Sequence, residues 1–160
     1  MLRSTTLAAA VVASCLAAGA AHAADEYNVS RGVTTDGFPL GLHGVDPVSF
    51  LEIGNRIDGT SAYAASHDGV TYYFASEATM ESFQADPDGY LPQFGGFCAY
   101  AVALGKKFDG DPKYAAVRDG KLYVFVNGAV LREFQKDPDG WIAKSEAKWP
   151  EIRSTPVAQL

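Results

Sequence analysis

An internal repeat restricts what this chain can fold into more than any other feature. Asp68-Gly69 returns as Asp119-Gly120, 51 residues further on, and the match continues without a gap. Tyr72 aligns with Tyr123, Phe74 with Phe125, Ala78 with Ala129, and Phe83-Gln84 with Phe134-Gln135. Asp86-Pro87-Asp88-Gly89 aligns with Asp137-Pro138-Asp139-Gly140, and Tyr90-Leu91 with Trp141-Ile142. A structural repeat is a unit that cannot bury its apolar face alone. Two strand-turn-strand-helix units can bury those faces against each other. The expected fold class is therefore α+β, with duplicated β-hairpin-helix units packed as one small domain. The copies span about residues 67–91 and 118–142.

Local signals agree with that reading. Asp68-Gly69 and Asp119-Gly120 are tight-turn pairs between runs rich in aromatic and β-branched residues, which predicts two hairpins. Their strands are Ala62 to His67 with Val70 to Ala75, and Tyr114 to Arg118 with Lys121 to Val126. Ser76 caps a helix reaching about Ala85. Ala129 to Lys136 is the matching helix, and a last helix runs from Trp141 until Pro150 stops it. Asp46-Pro47 opens a further short helix, with Asp46 as N-cap and Pro47 at the first helical position, ending at Gly54. The two Asp-Pro-Asp-Gly segments resemble fragments of a calcium loop. They lack its later bidentate glutamate and read as turns.

The first 23 residues read as an export signal. Arg3 gives the positive start, Leu7 to Ala20 the apolar run, and Ala21-His22-Ala23 the small-x-small cleavage site. The run is too short for a membrane span, and no transmembrane segment is expected. The protein is expected to be periplasmic or secreted, with Ala24 as its mature N-terminus. The competing reading is a lipoprotein lipidated at Cys15, within Val12-Ala13-Ser14-Cys15. Residues 24–40 form an N-terminal arm, 41–152 the domain, and 153–160 a frayed tail. Removing the leader from 160 residues leaves 137, enough for one domain with a real core. The net charge of −6 comes without a basic cluster, which argues against nucleic acid and anionic membrane surfaces as partners. The sequence names no protein partner.

Cys98 is the only cysteine left once the leader is gone. It sits in Pro92-Gln93-Phe94-Gly95-Gly96-Phe97-Cys98-Ala99-Tyr100-Ala101-Val102, with a glycine pair before it and a short apolar helix after it. Gly95 and Gly96 permit a close backbone or ligand approach. A helix starting near Phe97 would place unpaired N–H groups near the sulfur and favour a thiolate. A packed, buried thiol is the plainer alternative. The stretch follows the first copy of the repeat, and nothing like it follows the second, which marks it as the place for a specialised site.

Several of these segments together resemble a known family. Asp46-Pro47-Val48, Tyr72-Tyr73-Phe74-Ala75-Ser76, Phe83, Asp86-Pro87 and Tyr90 resemble the YHS domain. Pro92 through Ala99 resembles its secreted bacterial branch, with a Gly-Gly-x-Cys-Ala motif. The resemblance covers roughly residues 40–150. It implies a small α+β domain and a role near metals, because short YHS domains are found attached to heavy-metal transport proteins. Those short domains typically carry cysteines where this chain has Ser49, Ala75 and Thr79, so their thiolate set is absent here.

Three functions are therefore expected in descending order. The first is binding of a metal ion, copper or zinc, or of a small ligand around Cys98. His43 and His67 would be the further metal ligands, and Gly95, Gly96, Tyr72 and Tyr100 would form a pocket. The second is a non-catalytic interaction module using an aromatic surface of Tyr90, Phe94, Phe97 and Tyr100. The third, a thiol enzyme, needs a base beside Cys98, for which His43 and Asp46 are the candidates. No Cys-x-x-Cys pair serves dithiol redox chemistry.

Overall fold

The structure is a computed structural model and describes residues 26–160; the expected export signal, and Cys15 with it, lie outside those residues. Among the described residues two antiparallel hairpins and six α-helices make an α+β domain. In the first unit, α1 (Pro47–Glu52) precedes β1 (Thr60–His67) and β2 (Val70–Phe74), then α2 (Glu77–Ala85) and α3 (Pro87–Tyr90). In the second, α4 (Ala99–Ala103) precedes β3 (Asp111–Arg118) and β4 (Lys121–Phe125), then α5 (Gly128–Phe134) and α6 (Pro138–Ile152).

The repeat is reproduced at the level of register. β1 pairs with β2 from His67↔Val70 to Ala64↔Tyr73, and a bulge then leads to Thr60↔Phe74. β3 pairs with β4 from Arg118↔Lys121 to Ala115↔Val124, and a bulge at the same place leads to Asp111↔Phe125. Both turns bring an aspartate into the left-handed region, at φ 48° for Asp68 and 50° for Asp119, followed by glycine. That is the twist a two-residue hairpin loop requires. Ser76 closes a capping box with Thr79 at the start of α2, while Asn127 accepts from Ala129 N and Val130 N at the start of α5.

The two Asp-Pro-Asp-Gly segments are helix starts and not turns. Asp86 accepts from Gly89 N and Asp137 from Gly140 N, each with proline at the first helical position. In the first unit Pro92 holds Leu91 in an extended conformation, so α3 is only four residues long. In the second, Ala143-Lys144-Ser145 replaces that breaker and α6 runs on. It also passes Pro150 and ends at Ile152. So near the end of a helix a proline deletes a single ladder bond and keeps a helical φ, and buried Ile152 holds the last turn against the core.

Strand β4 separates two apolar clusters. Its alternate residues Leu122 and Val124 join Val48, Val70, Tyr72, Phe74 and Phe83 on one side. Tyr123 and Phe125 join Phe97, Cys98, Val102 and Phe134 on the other. A strand with both faces buried reads as a continuous apolar run, as Leu122-Tyr123-Val124-Phe125 does. Ser145, buried in α6, donates to Ala99 O at 2.8 Å and ties α6 to α4.

The arm and the tail are both docked. Val29 bridges to Gly41, Leu40 bridges to Thr71, and Asn28 N donates to Gly95 O at 2.8 Å. Lys107, in the connection between α4 and β3, is buried. Its ammonium donates to Arg153 O at 2.6 Å and Thr155 O at 2.8 Å, and lies over the Phe97 and Trp149 rings. A buried ammonium needs such acceptors. Lys107 therefore fixes residues 153–155, and the tail continues as a turn over Val157–Gln159 to Leu160, which packs on the second cluster.

Candidate functional site

Cys98 is fully buried in the second cluster. It is the N-cap residue of α4, which begins at Ala99, and its side chain makes no capping hydrogen bond. Its position has a counterpart in the first unit. Isolated bridges Val45↔Asp58 and Phe97↔Asp109 precede the two hairpins, and Asp46 N donates to Ile57 O as Cys98 N donates to Phe108 O. The segment through Cys98 is thus the opening of the second unit, equivalent to the segment through Asp46 at an offset of 52 residues. It is not an unmatched insertion after the first unit. The connection from Val45 to Asp58 is one residue longer than that from Phe97 to Asp109, which hides the match from an ungapped comparison.

Asp46 shows what this position does. Its buried carboxylate accepts from Val48 N at 2.8 Å, Ser49 N at 3.3 Å and Ala75 N at 3.0 Å. It caps α1 and ties that helix to the end of β2. Cys98 occupies the same place as a small apolar side chain. This is the packed-thiol alternative, with Cys98 a member of the second apolar cluster.

The structure does not gather Cys98, His43 and His67. No group of three or more histidine, cysteine, aspartate or glutamate side chains is placed to hold a metal ion among the described residues. The His67 ring meets Phe83 edge-on at 6.3 Å, and its Nε2 stands 3.7 Å from Asp68 and 3.6 Å from Asp88. Its counterpart Arg118 pairs with Asp139, the counterpart of Asp88, at 2.7 Å. His67 therefore fills a structural position, linking a hairpin end to a helix start. Tyr72 is buried against Phe83, and burial pushes its phenol far above the usual range. Tyr100 stacks on Trp141 at 4.3 Å. Phe94 and Phe97 are buried, so the expected aromatic surface is largely core; Tyr90 lies at its edge and donates to Glu52 at 2.7 Å.

His43 is the exception. Each unit opens on three consecutive left-handed residues, Leu42-His43-Gly44 at φ 46°, 52° and 76°, and Phe94-Gly95-Gly96 at 55°, 62° and 82°. Left-handed backbone strains any residue with a Cβ. At Leu42 and Phe94 the buried side chain compensates. At the middle position the second unit has glycine, whose added Cβ would overlap the Glu26 carbonyl of the arm. The first unit carries His43 there, with its side chain 35 % exposed.

His43 lines an open groove of about 720 Å³ with Asn28, Val29, Ser30, Arg31, Phe97, Lys107, Asp109 and Val157. Its Nε2 meets Asp109 Oδ1 at 2.8 Å, and Asn28 Nδ2 donates to the same oxygen at 2.6 Å and to Gly96 O at 3.0 Å. The groove thus joins the first unit, the second unit, the arm and the tail. Three basic side chains and one carboxylate face it in a chain whose net charge is −6. Sequence reasoning found His43 but missed Asn28, Arg31, Lys107 and Asp109. The Gly44/Gly96 match at the 52-residue offset was the one signal that could have exposed His43 as the departure from a glycine pattern. Compared with protein-family models, curated proteins and solved structures, the chain matches none.

Proposed function

We propose that this protein is a binding module for a small organic ligand, held in the groove that the bonded pair His43 and Asp109 helps to line. The observation that carries the reading is His43 itself. It is an exposed, polar side chain kept at a strained backbone position where the duplicate unit uses glycine. Strain kept at a partly exposed side chain that faces a groove points to use of that side chain. A groove of this size, with Val29, Phe97 and Val157 set among polar and charged side chains, suits a small polar molecule. The leader sequence supports a site of action in the periplasm or outside the cell.

This moves the site from Cys98, which is enclosed, to the groove that its neighbour Phe97 helps to line. The test is a ligand-observed NMR screen of a fragment library on the mature protein, beside His43→Gly and a groove-filling Val29→Trp. Fragments that bind the parent and are lost in both variants support the reading. Binders indifferent to both variants overturn it. So does stoichiometric Cu(I) or Zn(II) binding that is lost in Cys98→Ala and unchanged in His43→Gly, which would return the site to the thiol.

A further inference from the structure

We infer that the ligand of the groove is a zwitterion of the amino-acid type, a free amino acid or short peptide with an unblocked ammonium and carboxylate. The inference rests on the groove being the binding site. It comes from counting which polar groups at the groove are already satisfied. Asn28 is spent on Gly96 O and Asp109 Oδ1. Lys107 is buried and donates to the Arg153 and Thr155 carbonyls. His43 Nε2 is spent on Asp109 Oδ1.

Besides Ser30 Oγ and His43 Nδ1, two charged groups keep unused capacity among the described residues, and they are of opposite sign. Arg31 is exposed, lines the groove and makes no hydrogen bond or ion pair with the described residues. Its planar fork matches a carboxylate. Asp109 uses only Oδ1, for His43 and Asn28; Oδ2 has no partner among the described residues. Those two bonds hold Oδ1, which leaves Oδ2 open to accept from a ligand ammonium. An anion alone would satisfy Arg31 and leave Asp109 as a repelling charge. A cation alone would meet Arg31 and Lys107 as like charges. A ligand carrying both signs engages both, and Val29, Phe97 and Val157 offer apolar surface to its side chain.

The experiment measures binding by calorimetry on the mature protein for the free amino acids and unblocked dipeptides. N-acetyl forms lack the ammonium, and amide forms lack the carboxylate. Each charge-assisted contact carries about a tenfold preference or more. The best unblocked ligand should therefore bind at least about tenfold more tightly than either blocked form. Arg31→Gln should abolish the preference over the amide form, and Asp109→Asn, which keeps the bond geometry to Asn28, the preference over the N-acetyl form. A purely structural Asp109 would lower stability in Asp109→Asn without changing that ratio, which would overturn the assignment. If blocked forms or uncharged fragments bind in the groove as tightly as zwitterions, this inference falls while the groove reading stands. If nothing binds in the groove, both fall.

Discussion

Exchanging the middle residues of the two left-handed turns tests directly whether His43 is kept for its side chain or for the fold. His43→Gly gives the first unit the residue the second already uses at the same φ. Left-handed strain at a residue with a Cβ is about 1–2 kcal/mol, toward the low end for histidine, which tolerates this region better than most. Glycine returns about 0.4–1 kcal/mol of that through its freer unfolded chain. The bond to Asp109 is partly exposed and contributes about 0.5 kcal/mol. His43→Gly should therefore be neutral to within about 0.5 kcal/mol. His43→Ala keeps the strain and loses the bond, so it should be the less stable of the two by roughly 0.5–1 kcal/mol. The reverse exchange, Gly95→His, forces a Cβ into the Glu26 carbonyl and should cost more than about 2 kcal/mol or expel the arm. Urea unfolding of the four proteins gives the ranking, and limited proteolysis between residues 26 and 41 reports the arm. Equal losses above about 1 kcal/mol in His43→Gly and His43→Ala would show that the imidazole is a structural tie, and the argument for a site at His43 would fail.

Four further outcomes follow from the geometry. Asp46→Ala removes a cap and orphans Ala75 N at the end of β2, and should cost about 2–4 kcal/mol by chemical denaturation. Lys107→Met leaves the carbonyls of Arg153 and Thr155 without that donor, so amide exchange near residues 153–160 should quicken well before global unfolding. Burial and the bond to Asp68 raise the Tyr27 phenol from 10.0 to about 12. A raised folded pKa gives stability that is complete below pH 10 and lost as pH climbs towards 12, so parent stability should fall across that window more steeply than that of Tyr27→Phe. Cys98 should react with a thiol reagent only at the rate of opening, with urea accelerating it in step with unfolding; fast native modification would show that the thiol is accessible.

The elements most legible in the sequence were those whose two copies kept the same chemistry. The hairpins announced themselves because Asp-Gly pairs and the Tyr-x-Phe strands recur at one offset, and their turns demand left-handed residues. The openings of the units were not legible, since Asp46 and Cys98 share no chemistry although both sit buried at the same N-cap position. One satisfies amides and the other fills space, and a change of offset from 51 to 52 broke the alignment between them. The tail read as frayed because nothing local in Arg153 to Leu160 foretells that Lys107 will bury its ammonium against those carbonyls. Likewise the pairing of His43 with Asp109 spans 66 residues and exists only after the units pack.

Once the units are superimposed in register, their differences sort by what each side chain meets. His67 and Arg118 differ, yet both stand against the carboxylate at the start of the following helix. Arg56 and Lys107 differ, and each has found oxygen acceptors, Asp58 for one and the tail for the other. Asp46 and Cys98 differ, and both are enclosed. Each of these substitutions is absorbed by the fold. His43 against Gly95 differs from these: it adds strain at a side chain still 35 % exposed and puts an imidazole, bonded to Asp109, on a groove wall. In a duplicated domain the second copy is a partial control for what the backbone needs: Gly95 shows that glycine suffices at this φ, while the Glu26 carbonyl excludes any Cβ there for a reason of its own.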